Sequence, residues 1–152
     1  MKVVVAGGMG FLGSHVCEMY RMMGEEVVAV DNLTKYELRR TGYNVFYARD
    51  YNTEKMKKIG VSLIKEDIRH RHELKHIMKD ADYIVNCSAQ PAMTISIEDP
   101  ALDFTTNVDG VFNMLEISRK YDIPFTHCST IHVYGNGLNA ESVEEETRFT
   151  HP

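Results

Sequence analysis

Residues 6–13 are Ala-Gly-Gly-Met-Gly-Phe-Leu-Gly, and this stretch decides the fold expected of the chain. It follows the short apolar run Lys2–Ala6 and precedes residues 12–23, where apolar side chains recur at helical spacing. A strand, a glycine-rich turn and a helix in that order form a natural phosphate site. The reason is that the free N–H groups of the turn and the positive end of the helix dipole both attract anions.

Three glycines of this turn have separate expected roles. Gly7 would permit the tight turn, Gly10 would let the backbone approach a pyrophosphate, and Gly13 would let the helix pack close to the strand. The spacing is GxxGxxG, which differs slightly from GxGxxG. Because glycine-rich turns after strands are common, the turn needs a second signal.

Two aspartates after later apolar runs provide that signal. Asp31 comes 18 residues after Gly13, where a carboxylate can accept both ribose hydroxyls of an adenosine and would repel the extra phosphate of NADP. The alternative is a turn-forming Asp-Asn pair, which is common at strand ends. Asp67 and Ile68 follow the third run, where the adenine ring would rest, although a simple loop aspartate is about as good an interpretation.

Short apolar runs alternate with helical periodicity along most of the chain, which predicts an α/β fold with a doubly wound parallel sheet of the Rossmann type. The predicted strands are Lys2–Ala6, Val27–Val30, Val61–Lys65, Tyr83–Cys87 and Pro124–Cys128, each apolar enough to be buried on both faces. Helices are expected after Gly10, ending near Gly24, and from Pro100 to Leu115. Residues 34–60 give mixed signals with a short helix over Thr53–Ile59, and Asn139–Thr150 has the composition of a solvated loop.

Charge and cysteine content limit the function further. The formal net charge is −5, so the chain has no basic balance that would suit nucleic acid. The three cysteines, Cys17, Cys87 and Cys128, form no CxxC pair, which argues against a disulfide framework or structural zinc site and favours the reducing cytoplasm. The N-terminal apolar run is too short for a signal peptide or a membrane span, so no membrane partner is expected.

With these residues in place, the whole chain resembles the extended short-chain dehydrogenase/reductase family of sugar-nucleotide epimerases and dehydratases. Within that family, the segment Gln90–Pro100 resembles the CDP-paratose (CDP-tyvelose) 2-epimerases. The motifs that carry the family resemblance are Ala6–Gly13, Asp31–Thr34, Asp67–Arg69, Ser88–Pro91, Asn107–Gly110 and Ser129–Gly135.

The resemblance implies a nucleotide-sugar substrate and a tightly held NAD that takes a hydride from a sugar carbon. A transient keto-sugar then receives the hydride back with inverted stereochemistry. Thr130 would hydrogen-bond the reacting hydroxyl, and the family often forms a homodimer through a four-helix bundle that would include Pro100–Tyr121. The residues expected to bind the cofactor are Gly7, Gly10, Phe11, Leu12, Gly13, Asp31, Asn32, Thr34, Asp67, Ile68, Ser88, Ala89 and Asn107.

One departure from the family pattern concerns the general base, a Tyr-x-x-x-Lys pair on a helix after the Val-Tyr-Gly segment. No such pair follows Gly135, and the one at Tyr51–Lys55 lies between the second and third strands, which indicates a coincidence. We therefore expect residues 1–152 to be the NAD-binding domain of a longer enzyme, without the sugar-nucleotide domain and inactive alone. The apolar face of Pro100–Tyr121 would then be exposed.

Four other functions compete with epimerisation. His72-Glu73-Leu74-Lys75-His76 matches the HExxH motif of zinc peptidases, but a solvated helix face explains it more simply and no third ligand is obvious. A dehydratase would carry Thr-Asp-Glu where this chain has Thr130-Ile131-His132, so elimination is disfavoured. A reductase of the same family is disfavoured by Asp31, because net reduction more often uses NADPH. A non-catalytic NAD-binding module remains open.

Overall fold

The computed structural model describes residues 1–34, 45–130, 133, 143–147 and 149–150. The strands are β1 (Lys2–Ala6), β2 (Glu26–Asp31), β3 (Ser62–Lys65), β4 (Tyr83–Asn86), β5 (Phe125–His127), β6 (Val143–Glu144) and β7 (Phe149–Thr150). The helices are α1 (Phe11–Met22), α2 (Val45–Lys58), α3 (Arg71–Met78), α4 (Met93–Glu98), α5 (Pro100–Phe104) and α6 (Gly110–Tyr121), with a π-helical turn over Thr105–Asp109 between the last two.

The first five strands form one parallel sheet in the order β3-β2-β1-β4-β5. The first three strands add in turn toward one edge of the sheet, so that β3 is the edge strand. The chain then crosses back, and β4 pairs with β1 on its other side. This reversal opens a crevice at the carboxyl ends of β1 and β4, the usual ligand position in such sheets. The predicted Rossmann-type α/β fold is confirmed.

Helices cover both faces of the sheet, because successive residues of the central strands point to opposite sides and both sides are apolar. Val4, Val28 and Ile84 pack with α3 and α6 on one face. Val3, Val27 and Val85 pack with Cys17 of α1 and Met56 of α2 on the other. Each fully buried side chain of this size stabilises the fold by roughly 1.5–3 kcal/mol.

The expectation that every strand is buried on both faces is wrong for the sheet edges. Only β1, β2 and β4 have mostly buried residues, whereas β3 and β5 are largely exposed among the described residues. The reason is positional, since β3 and β5 each have a strand neighbour on one side only.

Other differences concern the weakly patterned segments. The helix expected over Thr53–Ile59 is the longer α2, and the segment predicted as a solvated loop contains the two-stranded antiparallel ribbon of β6 and β7. The helix expected from Pro100 is interrupted by the π-helical turn. Gly24, just after α1, has a φ of +84°, consistent with its predicted role in ending that helix.

An apolar face is exposed along the segment from α5 to α6, as expected from the sequence. Phe104, Val108, Phe112 and Leu115 are each about half exposed. Within the described part of the chain, no helix is long and apolar enough to cross a membrane.

Candidate dinucleotide site

A cavity of about 510 Å³ opens at the carboxyl ends of β1, β2 and β4. Of the predicted cofactor residues, the cavity is lined by Gly7, Gly10, Phe11, Leu12, Asp31, Asn32, Thr34, Ile68, Ser88 and Ala89. Gly13, Asp67, Asn107 and Thr130 do not line it. The lining residues that sequence reasoning did not select are Met9, Val30, Leu33, Glu66, Arg69, Cys87, Gln90, Pro91, Leu102 and Thr106.

The glycine turn has the shape that a phosphate cradle requires. Gly7 has a φ of +73°, and a Cβ there would lie 2.7 Å from the Ser88 nitrogen. A Cβ on Gly13 would lie 2.1 Å from the Gly7 carbonyl oxygen, so only glycine lets α1 start this close to the turn. Gly8 is also constrained, because its Cβ would lie 2.6 Å from the Ala29 Cβ. Sequence reasoning assigned no role to Gly8, which packs the turn against β2.

Helix α1 points its amino end at the cavity without a side-chain cap. Gly10 is the N-cap and makes no side-chain hydrogen bond, and the first turn holds no acidic residue. The N–H groups of Phe11, Leu12 and Gly13 have no intrahelical acceptor, as at any helix start. These N–H groups and the positive end of the helix dipole both attract anions. This end of α1 is therefore suitable for a pyrophosphate, in agreement with the glycine cradle beside it.

Asp31 connects the glycine turn to the loop after β2. Its Oδ2 accepts a hydrogen bond from the Met9 N–H at 2.9 Å, and its Oδ1 accepts one from the Leu33 N–H at 2.8 Å. Each carboxylate oxygen has two lone pairs, so both oxygens can still accept a ribose hydroxyl. The bond from Leu33 is the turn that sequence analysis gave as the alternative role of Asp31, whereas the bond from Met9 was not foreseen, and the carboxylate keeps free acceptor capacity at the cavity wall.

Asn32 connects this loop to the loop after β3. Its Oδ1 accepts hydrogen bonds from the Thr34 N–H at 3.0 Å and the Thr34 hydroxyl at 2.7 Å, and its Nδ2 donates to Asp67 Oδ2 at 2.9 Å. Asn32 and Thr34 thus shape the adenosine end of the cavity from β2, while Ile68 and Arg69 line it from β3.

Asp67 is buried and its carboxylate is fully engaged by protein groups. Oδ1 accepts from the Arg69 N–H at 3.0 Å and Arg69 Nε at 2.9 Å, while Oδ2 accepts from Arg69 Nη2 at 2.8 Å and Asn32 Nδ2 at 2.9 Å. Burial acts to raise the pKa of Asp67, but the hydrogen bonds from Arg69 and Asn32 outweigh it and hold that pKa well below the ordinary value. Four donors fill the four lone-pair sites of a carboxylate, which leaves none for an adenine amine.

The other end of the cavity is organised by Asn86, a fully buried residue that sequence reasoning had no basis to select. Its Oδ1 accepts from the Ser88 N–H at 2.9 Å and the Ser88 hydroxyl at 2.5 Å. Its Nδ2 faces His127 Nδ1 at 3.0 Å and so joins the ends of β4 and β5. Ser88 and Ala89 are thereby held at the cavity wall.

Asn107 lies in the π-helical turn and binds the backbone of Gln90. Its Oδ1 accepts from the Gln90 N–H at 2.8 Å, and its Nδ2 donates to the Gln90 carbonyl at 2.9 Å and to Asp103 Oδ1 at 2.7 Å. Short π-helical turns of this kind are frequent at functional sites. Asn107 supports the cavity wall at Gln90 and Pro91 without lining it.

Thr130 is exposed and lies three residues beyond the end of β5, where its carbonyl accepts the Val133 N–H at 3.3 Å. Ile131 and His132 fall outside the described residues. Of the Tyr51–Lys55 motif, Lys55 is paired with Glu18 of α1 at 2.7 Å. The HExxH histidines are exposed on α3 with their Nε2 atoms 3.3 Å apart, and the described residues contain no group of three metal-binding side chains.

A parallel sheet with this cradle defines a dinucleotide-binding Rossmann domain as the class of protein. The sequence profile of the NAD dependent epimerase/dehydratase family matches residues 3–152, so the chain belongs to that family. The resemblance inferred from the motifs is confirmed, and NAD is the cofactor of the family by its description.

The chain is 32% identical over 155 residues to CDP-paratose 2-epimerase from Salmonella typhi, covering 99% of this chain and 43% of that protein. It therefore spans less than half the length of this relative. Among solved structures, it resembles a mutant UDP-glucuronic acid 4-epimerase from Bacillus cereus in complex with NAD and UDP-4-deoxy-4-fluoro-glucuronic acid, with a TM-score of 0.79 and 25% identity. That match covers 99% of this chain and 46% of the other.

UDP-glucose 4-epimerase from Thermus thermophilus, solved in complex with NAD, is 33% identical with a TM-score of 0.63. The match covers 81% of this chain and 35% of that enzyme. These relatives agree with the epimerase resemblance of the motifs.

Proposed function

We propose that the chain provides the NAD site of an enzyme that epimerises a nucleotide-activated sugar through a transient keto-sugar. The observation that carries the proposal is the cavity at the crevice between β1 and β4, where the glycine cradle, Asp31 and Ser88 line one continuous wall. Bound there, NAD would supply the hydride acceptor and return the hydride to the opposite face of the sugar carbon.

Each part of the wall has a binding task in this proposal. The N–H groups at the start of α1 hold the pyrophosphate, and the free lone pairs of Asp31 accept the ribose hydroxyls. Backbone groups of Ile68 meet the adenine, because the Asp67 carboxylate has no acceptor left. Ser88 and Ala89, fixed by Asn86, border the nicotinamide end.

Thr130 orients the sugar in the proposed reaction. It follows β5, the neighbour of β4, and therefore lies beyond the same edge of the sheet as Ser88. There it would hydrogen-bond the sugar hydroxyl that loses its proton. We propose that the general base, a Tyr-x-x-x-Lys pair in related enzymes, follows Pro152 in the same reading frame.

Calorimetric titration with NAD and with NADP tests the binding site. We expect NAD to bind more tightly than NADP and Asp31→Ala to weaken NAD binding about tenfold to a hundredfold, the value of hydrogen bonds to a charged acceptor. The NAD preference should also disappear in that variant, because the carboxylate no longer repels the second phosphate.

Asp82→Ala is the matched control for this test. Asp82 also accepts a backbone hydrogen bond, from the Lys2 N–H at 2.6 Å, but at the opposite end of the sheet. Its loss should leave the NAD preference intact. Equal affinity of the native chain for NAD and NADP, or no binding of either by the folded protein, would refute the proposed site.

A non-catalytic NAD-binding module is one alternative, because the cavity by itself accounts for binding and not for turnover, and a reductase or dehydratase of the same family is another. The epimerase and the non-catalytic module differ in whether the complete protein turns over a nucleotide sugar. Epimerisation of a nucleotide sugar by the complete protein without added reductant supports the enzyme, whereas NAD binding without turnover supports the module.

A further inference from the structure

Two thiols meet beside the cavity although the sequence separates them by 41 residues. Cys87 follows β4 and Cys128 follows β5, and the pairing of Asn86 with His127 places them side by side on adjacent parallel strands. Their Sγ atoms lie 3.6 Å apart, and both residues are half-buried. Cys87 also lines the cavity.

The backbone at this pair suits a covalent link. Adjacent strands lie about 4.7–4.9 Å apart, and disulfides join Cα atoms about 4.4–6.8 Å apart. The sulfur atoms have to approach by about 1.5 Å to reach the bonded distance of about 2.05 Å. Rotation about the Cα–Cβ bonds with a small backbone shift can provide that approach.

We propose that Cys87 and Cys128 form a redox modification site, which closes to an intrachain disulfide by exchange with a small-molecule disulfide such as glutathione disulfide. A reversible pair at a ligand site is the usual form of a disulfide in a reducing compartment, where structural disulfides are rare. Neither the glycine cradle nor Asp31 takes part in forming the bond.

The exchange proceeds in two balanced steps. The thiolate of one cysteine of the pair attacks one sulfur of the external disulfide, which forms a mixed disulfide and releases one small thiolate. The other cysteine then loses its proton and attacks the sulfur of the first, which forms the intrachain bond and releases the second thiolate. The protein loses two electrons and two protons, and the oxidant leaves as two thiols.

Attack by either thiol leads to the same intrachain disulfide, because the two sulfur atoms lie 3.6 Å apart. Burial, followed by the hydrogen bond with Cys128, raises the pKa of the Cys87 thiol to about 12, so its thiolate is scarce at neutral pH. Where Cys87 reacts second, its attack is intramolecular, and proximity compensates for that scarcity. Cys17 is fully buried, and burial raises its pKa to about 12 as well, so it should not compete.

The disulfide would also act on the cavity, and this part rests on the proposed NAD site. The peptide between Cys87 and Ser88 packs against Gly7, where an added Cβ would lie 2.8 Å from the Cys87 carbonyl carbon. A shift of Cys87 toward β5 therefore changes the contact that supports the phosphate cradle. We expect NAD affinity to fall about fivefold or more, the range of typical coupling between sites.

Peptide mapping of purified protein equilibrated with glutathione and glutathione disulfide tests the modification. The expected product is a Cys87–Cys128 cross-linked peptide, which dithiothreitol removes and which also forms in the Cys17→Ala control. A stable glutathione adduct on either residue, a link to Cys17, or unmodified thiols at the most oxidising ratio would each overturn the proposal. The native chain alone decides this, whatever the stability of the variants.

NAD titration of the reduced and oxidised protein tests the coupling. Affinity should fall on oxidation in the native chain and stay constant in the double variant Cys87→Ser/Cys128→Ser. An unchanged affinity of the cross-linked protein would overturn the coupling. Absence of NAD binding by the reduced protein would instead refute the proposed function, while peptide mapping would still decide the disulfide.

Discussion

The loops after β2 and β3 begin in the same way and end differently. Asp31 and Asp67 each accept a hydrogen bond from the N–H two residues later, at 2.8 Å from Leu33 and 3.0 Å from Arg69. The difference lies in the side chain at that later position. Arg69 folds back and fills the Asp67 carboxylate, whereas Leu33 packs into the core and leaves the Asp31 carboxylate with free lone pairs.

This comparison separates a carboxylate whose acceptors are occupied from the one that we propose binds the cofactor. Asp67 is buried, joins two loops and has its acceptor capacity used. Asp31 lines the cavity and accepts a hydrogen bond from Met9 in the glycine turn. Its carboxylate oxygens can accept further hydrogen bonds. In this chain, the aspartate after a strand keeps acceptor capacity where the residue two positions later is not a cation.

The largest effect is expected from Asp67→Ala. The change leaves the Arg69 guanidinium and the Asn32 amide without their shared acceptor, which should lower the free energy of unfolding by about 2–4 kcal/mol. Denaturant unfolding measures this, and NAD titration of the folded fraction should show an affinity within about threefold of native. A loss of NAD affinity as large as that of Asp31→Ala would mean that Asp67 contacts the cofactor.

The pH dependence of stability tests the depressed pKa of Asp67 next. The pKa of Asp67 in the folded chain lies below its ordinary value of 3.8, so its contribution is complete above that pH and is lost as the pH falls through the folded pKa. Asp67→Asn removes the contribution at every pH. The difference in unfolding free energy between native and Asp67→Asn protein should therefore be constant from pH 7 to about pH 5 and narrow below about pH 4. A difference that stays constant down to about pH 3 would contradict the depressed pKa.

The elements that could be predicted from the sequence are those with a local cause. β1, the glycine turn and α1 follow one another between Lys2 and Met22, and each has its own pattern of apolar or glycine positions. All five strands of the parallel sheet were predicted to within one residue at each end, whereas α2 begins eight residues before the predicted Thr53, because apolar periodicity is weak there. The ribbon of β6 and β7 pairs only two residues per strand, which is too short for any periodicity.

The parts of the site that sequence reasoning missed depend on contacts between distant residues. Asn86 binds Ser88 two residues later, and only the fold shows that this local contact supports the cavity wall and that β5 brings His127 to the same side chain. Asn107 was selected as a cofactor residue, but its two hydrogen bonds to Gln90, 17 residues away, show only in the fold. In the same way, only the fold shows that the acceptors of Asp67 are already occupied.

The smallest effect concerns strain in the loop after β2. Leu33 has a φ of +60°, whereas Arg69 is not among the described residues with positive φ. Leu33→Ala and Leu33→Gly both remove the packing of the leucine, but only glycine relieves a left-handed conformation that costs other residues about 1–2 kcal/mol. We expect Leu33→Gly to be about 1 kcal/mol more stable than Leu33→Ala in denaturant unfolding without nucleotide.

Leu63 provides the control, because it packs on the same cluster from β3. There the alanine variant should be more stable than the glycine variant by about 0.5–1 kcal/mol. A Leu33→Ala variant at least as stable as Leu33→Gly, as expected for Leu63 within β3, would contradict strain at Leu33.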